Sequence, residues 1–329
     1  MIKMKTVLYQ INSRELTAFS ALPYEFSYET GKNYLFDLSY LTGIQITGDR
    51  SQEFLQGQLS CDLREVSQHQ FRQGALCNLQ GRILTLVDIV NWGTNSSYQL
   101  ILPIDLMLKT QTSLAKPATL SRVTISHATG YQLFGLYVQN KDDLIPLDSE
   151  LSNIHYSVVS QETFCCYCLG HNFYIFLIPD QYAPEVREQF IKRSQWRGSL
   201  AWHALQLKEH SIQIYPNSRG LFLPHRVGLQ LSGHLSFNKG CYKGQEIIAR
   251  THYRAKLKHE LRLFIIQTDV ILQSGQRLFD DMQTIEIGEL IDYCPLGDNK
   301  FLIAASVIFE HPSTVCIEHD KALIELIPA

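Results

Sequence analysis

Lys239-Gly240-Cys241-Tyr242-Lys243-Gly244-Gln245-Glu246, running on into Ile247-Ile248-Ala249-Arg250, sets one cysteine between two glycines at the start of a helical pattern. Glycines permit tight turns and close backbone approach, and residues 244–250 read as the first turns of a helix. Cys241 is therefore expected just ahead of a helix N-terminus. There the helix dipole and the neighbouring Lys239 would both favour the thiolate, the form that acts as nucleophile or metal ligand. The competing reading, for a cysteine taken alone, is a buried apolar side chain in an ordinary turn. Glu246 and Arg250 are spaced for an i,i+4 pair worth a few tenths of a kcal/mol (about 0.3).

The charge pattern sharpens this view. Hydrophobic residues make up 45% of the 329-residue chain and charged residues 19%, which is a globular balance and argues against disorder. The formal net charge is −3, which gives no general reason to bind nucleic acid and argues against tRNA as a direct partner. Yet Lys239, Lys243, Arg250, Arg254, Lys256, Lys258 and Arg262 face only Glu246 and Glu260 across residues 239–262, a local charge of +5. Such a cluster beside a Gly-rich loop suits an anionic ligand, against the alternative of a solvated basic face. Phe301–Phe309 is the longest apolar stretch and has about half the length of a membrane span, so no membrane association is expected. Residues 1–15 show no long apolar region or cleavage site, and a cytoplasmic location is the expectation.

Outward from the loop, Gly43–Thr47 alternates like a strand, and Asp49 with Gln52 reads as a capping box opening a helix through Phe54, Leu55 and Leu59. Ala75–Leu79 and Arg82–Trp92 read as strands paired across Gln80-Gly81, followed by another at Tyr98–Leu102. Asp105 begins a helix expected to stop at Pro117, after which Arg122–Ser126 and Tyr131–Val138 return to strand. Phe164–Leu169 and Phe173–Ile178 form an expected hairpin, and helices follow at Pro184 and Ser199–Glu209. Beyond residue 256, four strand-like runs separated by Gly and Asp turns predict a small β-barrel. The fold class is thus α+β. The expected division is an N-terminal module over 1–120, a second over 121–255 ending in the loop, and the barrel over 256–329, with the first two able to interleave.

Cys166 and Cys168 share a strand face but sit among Phe164, Tyr167 and Leu169, so packed strand residues are the better reading than a metal pair. The eight cysteines show no disulfide framework, and the histidines show no metal-ligand spacing, so no metal site is assigned.

The loop resembles the signature of the YgfZ family, folate-binding proteins related to the T protein of glycine cleavage. The resemblance extends to Gln52-Glu-Phe-Leu-Gln-Gly-Gln-Leu-Ser-Cys-Asp62, the Gly81-Arg82 turn, Ala201-Trp-His-Ala-Leu205, and Gly275 and Gly288 near the C-terminus. It implies a T-protein-like fold with ferredoxin-like modules. It also implies a tetrahydrofolate-binding, monomeric accessory factor for iron-sulfur cluster assembly or repair, acting for clients such as tRNA methylthiotransferases. Carried over by position, Cys241 and Lys239 are the residues on which activity depends, and Trp202 is an aromatic folate contact. Leu41 stands where a second tryptophan is expected. Tyr242, Gln245 and Glu246 join the ligand site with the motif, Arg250 and Arg254 are candidates for the glutamyl tail, and Glu209 is a further folate-site candidate. The adjacent aspartates of the T protein fall on Thr85-Leu86, and strand alternation sets Asp88 on the opposite face from Thr85, which disfavours aminomethyl transfer. A one-carbon transferase is the alternative function. A tRNA-binding module using the basic stretch is a third, whose affinity would fall steeply with salt.

Overall fold

The computed structural model describes residues 6–93, 97–320 and 322–329. Its first sheet is antiparallel, in the order Arg72–Cys77, Ile83–Val90, Ser97–Pro103, Leu41–Thr47, Thr124–Ala128. With helices Ser51–Gln58 and Ile104–Ser121 crossing between strands, this is a ferredoxin-like arrangement carrying one extra edge strand. Ile83–Val90 is buried at six of its eight positions, only Leu86 and Asp88 being less enclosed, so its near-continuous apolar sequence reflects burial on both faces.

The second sheet runs Val158–Gln161, Phe164–Gly170, Phe173–Pro179, Tyr131–Tyr137, Tyr34–Asp37, Trp196–Arg197, with only the last pair parallel. Tyr34–Asp37 precedes every strand of the first sheet in the chain, so the two sheets are built from interleaved segments. Period-two alternation sorts the side chains of this sheet. Cys165, Tyr167, Ile175 and Leu177 join the main core. Phe164, Cys166, Cys168 and Phe176 instead pack under Val186 and Phe190 of helix Ala183–Lys192. All three of these cysteines are buried, as packed strand residues should be.

The C-terminal sheet has seven antiparallel strands, ordered Leu323–Glu325, Thr314–Ile317, Arg277–Phe279, Glu286–Gly297, Lys300–Ile308, His259–Gln267, Ile327–Pro328, curled into a half-barrel. Asp292 ties it to the body of the molecule: its buried carboxylate accepts hydrogen bonds from Tyr215 Oη (2.6 Å), Gln213 N (2.8 Å) and Tyr293 N (2.8 Å). Donors of this kind make a buried carboxylate tolerable. The fold is therefore α+β, with ferredoxin-like sheets and a curled C-terminal sheet.

Two local expectations need correction, and one hairpin is new. The Asp49–Gln52 capping box is not formed: the helix begins at Ser51 without a side-chain cap, and Gln52 Nε2 donates to Leu63 O instead (3.0 Å). Pro117 does not end its helix, because the buried stripe Leu106, Thr110, Leu114, Ala118 continues past it and termination waits for left-handed Arg122 (φ 56°). The hairpin Val7–Ile11/Arg14–Ala18 was not foreseen. Its Arg14 is buried against the Asp105 carboxylate (2.8 Å) and Ile214 O (2.8 Å), contacts distant in sequence and invisible to local patterns.

Candidate functional site

The Cys241 loop is held by two glycines meeting face to face. Gly244 adopts φ +83°, and a Cβ there would lie 2.4 Å from Asn78 O; Gly81 adopts φ +70°, and its Cβ would lie 3.1 Å from Ile247 Cβ. The motif helix, Gln245–Arg254, thus sits directly on the turn joining strands Arg72–Cys77 and Ile83–Val90. Residues 57–61 form the other docking strip. Lys243 N donates to Gly57 O (3.1 Å), Ser236 N to Ser60 O (2.9 Å), and Ser60 Oγ to His234 O (2.6 Å). Lys239 completes the seam: its ammonium is buried, donating to Leu59 O (2.7 Å) and Cys61 O (2.6 Å), with the Tyr242 ring 5.0 Å away. Burial pushes the Lys239 ammonium down to about 8, against the opposing influence of Cys61 and Asp62.

Lys239 is therefore engaged inward by backbone carbonyls rather than spent on the thiol beside it. Cys241 is exposed, whereas the other seven cysteines are buried. The thiol precedes the helix by four residues and is open to solvent. Tyr242 is buried, with its hydroxyl unpaired, and its N–H is met by Gln245 Oε1 (3.2 Å). Glu246, Arg250 and Arg254 are exposed, and the expected Glu246–Arg250 pair does not form.

A second feature lies deeper. Where both ferredoxin-like sheets meet the half-barrel there is a cavity of about 560 Å³, bounded by Leu86, Phe173, Val227, His234 and Leu261 among others. It shares Gln73, Leu86, Leu169, Gln206 and His234 with an adjoining chamber of about 100 Å³ that reaches Leu41, Asp88 and Trp202. Trp202 is buried on helix Ser199–Lys208, where Gly135 admits its ring and Phe36 and Phe173 pack on it at centroid distances of 5.3 and 5.6 Å. Asp88 does lie opposite Thr85 in its strand, yet Thr85, Leu86, Val87 and Asp88 all border this chamber. Enclosure pushes its carboxyl up to about 6, against hydrogen bonds from Gln73 (2.9 Å) and Tyr167 (2.9 Å). Asp88 keeps some accessible surface because that surface faces the chamber.

Six histidines line the larger cavity: His155, His171, His210, His225, His234 and His259. Burial, followed by the neighbouring His252, pushes His225 down to about 4; burial does the same to His234. Both are neutral at pH 7. Among the described residues no three His, Cys, Asp or Glu side chains converge to hold a metal ion.

Of the residues singled out in the sequence, Trp202 and Leu41 reach the narrow chamber and Glu209 reaches the larger cavity, hydrogen-bonded there to His171. Lys239, Cys241, Tyr242, Gln245, Glu246, Arg250 and Arg254 line neither. The loop and the cavity are nevertheless one aromatic stack apart. His252, in the last turn of the motif helix, stacks on Phe237 at 3.8 Å and lies 5.8 Å from His225, which forms cavity wall. The residues missed in the sequence are Gln206, His225, Gln230 and His234. The last three fall in residues 222–237, a stretch with no strand or helix period that nonetheless buries His225, Val227, Leu229 and His234. A buried irregular segment beside the motif was the available signal.

No family model matches the chain. It is 25% identical over 281 residues to the tRNA-modifying protein YgfZ of Colwellia psychrerythraea, covering 84% of this chain and 81% of that protein. It is 28% identical over 236 residues to the tRNA-modifying protein YgfZ of Shigella dysenteriae serotype 1, covering 71% and 72%. In structure it matches the glycine cleavage system aminomethyltransferase T of Bartonella henselae with a TM-score of 0.75, over 99% of this chain and 94% of that one, at 16% identity. At that identity the match speaks for the fold alone. Among the described residues, no helix is long and apolar enough to cross a membrane.

Proposed function

We propose that this chain, a YgfZ relative by sequence and an aminomethyltransferase T relative by fold, binds a tetrahydrofolate in its central cavity. Its role in this reading is to support iron-sulfur cluster assembly or repair in enzymes of tRNA modification. The observation that carries the folate reading is the cavity itself. Its volume falls within the usual range for small-molecule sites, roughly 300–1,000 Å³, its walls carry unpaired polar atoms of Gln206, His225 and Gln230, and it adjoins the small chamber lined by Trp202. A pterin in the chamber would meet the edge of the Trp202 ring, since Gly135, Phe36 and Phe173 cover the rest of it. Cys241, the exposed thiol, supplies the separate surface at which a client or an iron-sulfur cluster in transit would be met.

Tryptophan fluorescence titration with tetrahydrofolate tests the binding. Of the three tryptophans, Trp202 alone lines the chamber, so saturable quenching is expected and should be lost in Trp202→Phe. Quenching that persists unchanged in the variant would remove Trp202 from the site. For the cellular role, Cys241→Ala should fail to restore iron-sulfur enzyme activity to cells lacking the protein, and full restoration would dismiss the thiol.

The Asp88 carboxylate in the chamber favours a second reading, a one-carbon transferase acting on the same folate. Formation of methylenetetrahydrofolate from an aminomethyl-lipoyl donor would reveal it; no turnover would reject it.

A further inference from the structure

We propose that a groove outside the central cavity, between the first sheet and helix Ala183–Lys192, binds a small apolar monocarboxylate whose carboxylate pairs with Arg187. The groove encloses about 640 Å³. Its walls are the start of strand Leu41–Thr47, the turn joining Thr124–Ala128 to Tyr131–Tyr137, and the face of the helix that carries Arg187 and Ile191 one turn apart. It shares no wall residue with the larger cavity and only Leu41 with the chamber. Its innermost rings, Phe134 and Trp196, belong to the core packed under helix Ala183–Lys192, whereas Trp202 belongs to the main core. Occupation of this groove therefore does not depend on folate binding.

The unmet charge of Arg187 says what the groove holds. The side chain is half-buried over the faces of Phe134 (6.0 Å) and Trp196 (5.9 Å). Nη2 donates to Gln132 Oε1, Nε is buried without a partner, and among the described residues no carboxylate pairs with the guanidinium. One neutral acceptor does not compensate a partly enclosed cation, and a guanidinium presents a planar fork that matches a carboxylate.

The rest of the wall is apolar and open. Ile104, the first residue of helix Ile104–Ser121, is 52% exposed, and Phe19, Leu41, Tyr131 and Ile191 are half-buried. An apolar strip beside a single cation suits a ligand with one anionic head and an apolar body. Asp37 narrows the class. It is the one acidic side chain among the described walls, its carboxylate held by Ser39 N (3.1 Å), Ser39 Oγ (2.9 Å) and Thr17 Oγ1 (3.1 Å). A phosphate dianion would bring a second charge that Arg187 alone does not neutralise and Asp37 repels. A monocarboxylate brings none.

Calorimetric titration of the full chain with octanoate tests the site, with octylamine as the charge-reversed probe and inorganic phosphate as the purely polar one. The wild type should bind octanoate saturably and neither of the others. Arg187→Met keeps a stem over the rings and removes the charge. It should weaken octanoate by about tenfold or more, the usual worth of a hydrogen bond to a charged group. Ile104→Glu should bind octanoate about threefold or more weakly than Ile104→Gln, which has the same length and no charge. An acidic residue is favourable at a helix N-terminus, so Ile104→Glu should not lower the Tm of the free protein. Should Arg187→Met not fold, the Ile104 pair decides on its own. Unchanged octanoate affinity in Arg187→Met, whatever its Tm, or equal affinities in the Ile104 pair would overturn the proposal. So would octylamine or phosphate binding as tightly as octanoate, or no octanoate binding at all. Displacement of octanoate by tetrahydrofolate would put it in the central cavity and overturn the proposal too. A failure of tetrahydrofolate itself to bind would bear on the folate reading alone.

Discussion

Replacing Gly244 with alanine should detach the Cys241 loop, and the structure sets the size of the effect. At φ +83° an L-residue pays about 1–2 kcal/mol for the left-handed conformation. The added Cβ would also stand 2.4 Å from Asn78 O and 3.0 Å from Gly81 Cα, both backbone atoms. Neither can rotate away, so the turn or the helix must move, at a further cost of about 1–3 kcal/mol typical of overpacking. Gly244→Ala should therefore destabilise by roughly 2–5 kcal/mol. Two glycines nearby serve as internal controls. Gly240 has open space around its Cβ position and no left-handed φ, so Gly240→Ala should stay within about 0.5 kcal/mol of the wild type. Gly57 lies inside helix Ser51–Gln58 with equally open space, so Gly57→Ala should stabilise by about 0.5–1 kcal/mol. Urea denaturation followed by circular dichroism gives all three values. A Gly244→Ala protein as stable as Gly240→Ala would refute the face-to-face packing of Gly244 and Gly81.

Lys239 and Asp88 make opposite predictions about pH. Burial lowers the Lys239 ammonium from 10.5 to about 8, so between these pH values the unfolded chain holds a proton that the folded chain has lost. Stability should rise with pH across that window, by up to roughly 3 kcal/mol, and Lys239→Met should abolish the rise. Asp88 is raised from 3.8 to about 6, so the folded chain holds the extra proton between these values. Stability should fall as pH rises through that range, by roughly 3 kcal/mol at most, and Asp88→Asn should flatten the slope. Denaturation curves across pH 4–10 read both effects; a slope unchanged in either variant would clear that residue. Brief alkylation of the native protein should modify Cys241 alone, since the other seven thiols are buried, and peptide mapping that finds a second early adduct would contradict this.

Much of the fold could be read from short-range pattern. The pairing of Phe164–Gly170 with Phe173–Pro179 and the all-β character of the C-terminal region follow from alternation and turn residues. The family signature pointed to a T-protein-like fold, and its Gly81 and Gly244 pack on each other where the motif helix meets a turn. What stayed hidden depends on distant partners. Arg14 is buried only because Asp105 and Ile214 reach it, and Pro117 is carried through its helix by the buried stripe Leu106, Thr110, Leu114 and Ala118, on whose face it lies. Strand alternation correctly opposed Asp88 to Thr85, but it could not say that a chamber bordered by both lies there. The same limit applied to charge. Basic residues gathered around the motif suggested an anion site beside Cys241, whereas Arg250 and Arg254 are exposed and the cavity is lined by histidines drawn from residues 155 to 259. Irregular spacing of those histidines concealed a cluster that only the meeting of three sheets creates.

The most direct measurement is a crystal structure of the protein grown with tetrahydrofolate. The account predicts a tetrahydrofolate in the central cavity, with its pteridine beside Trp202. A folate bound instead against Lys239, Arg250 and Arg254 at the Cys241 loop, with the cavity unchanged, would contradict it.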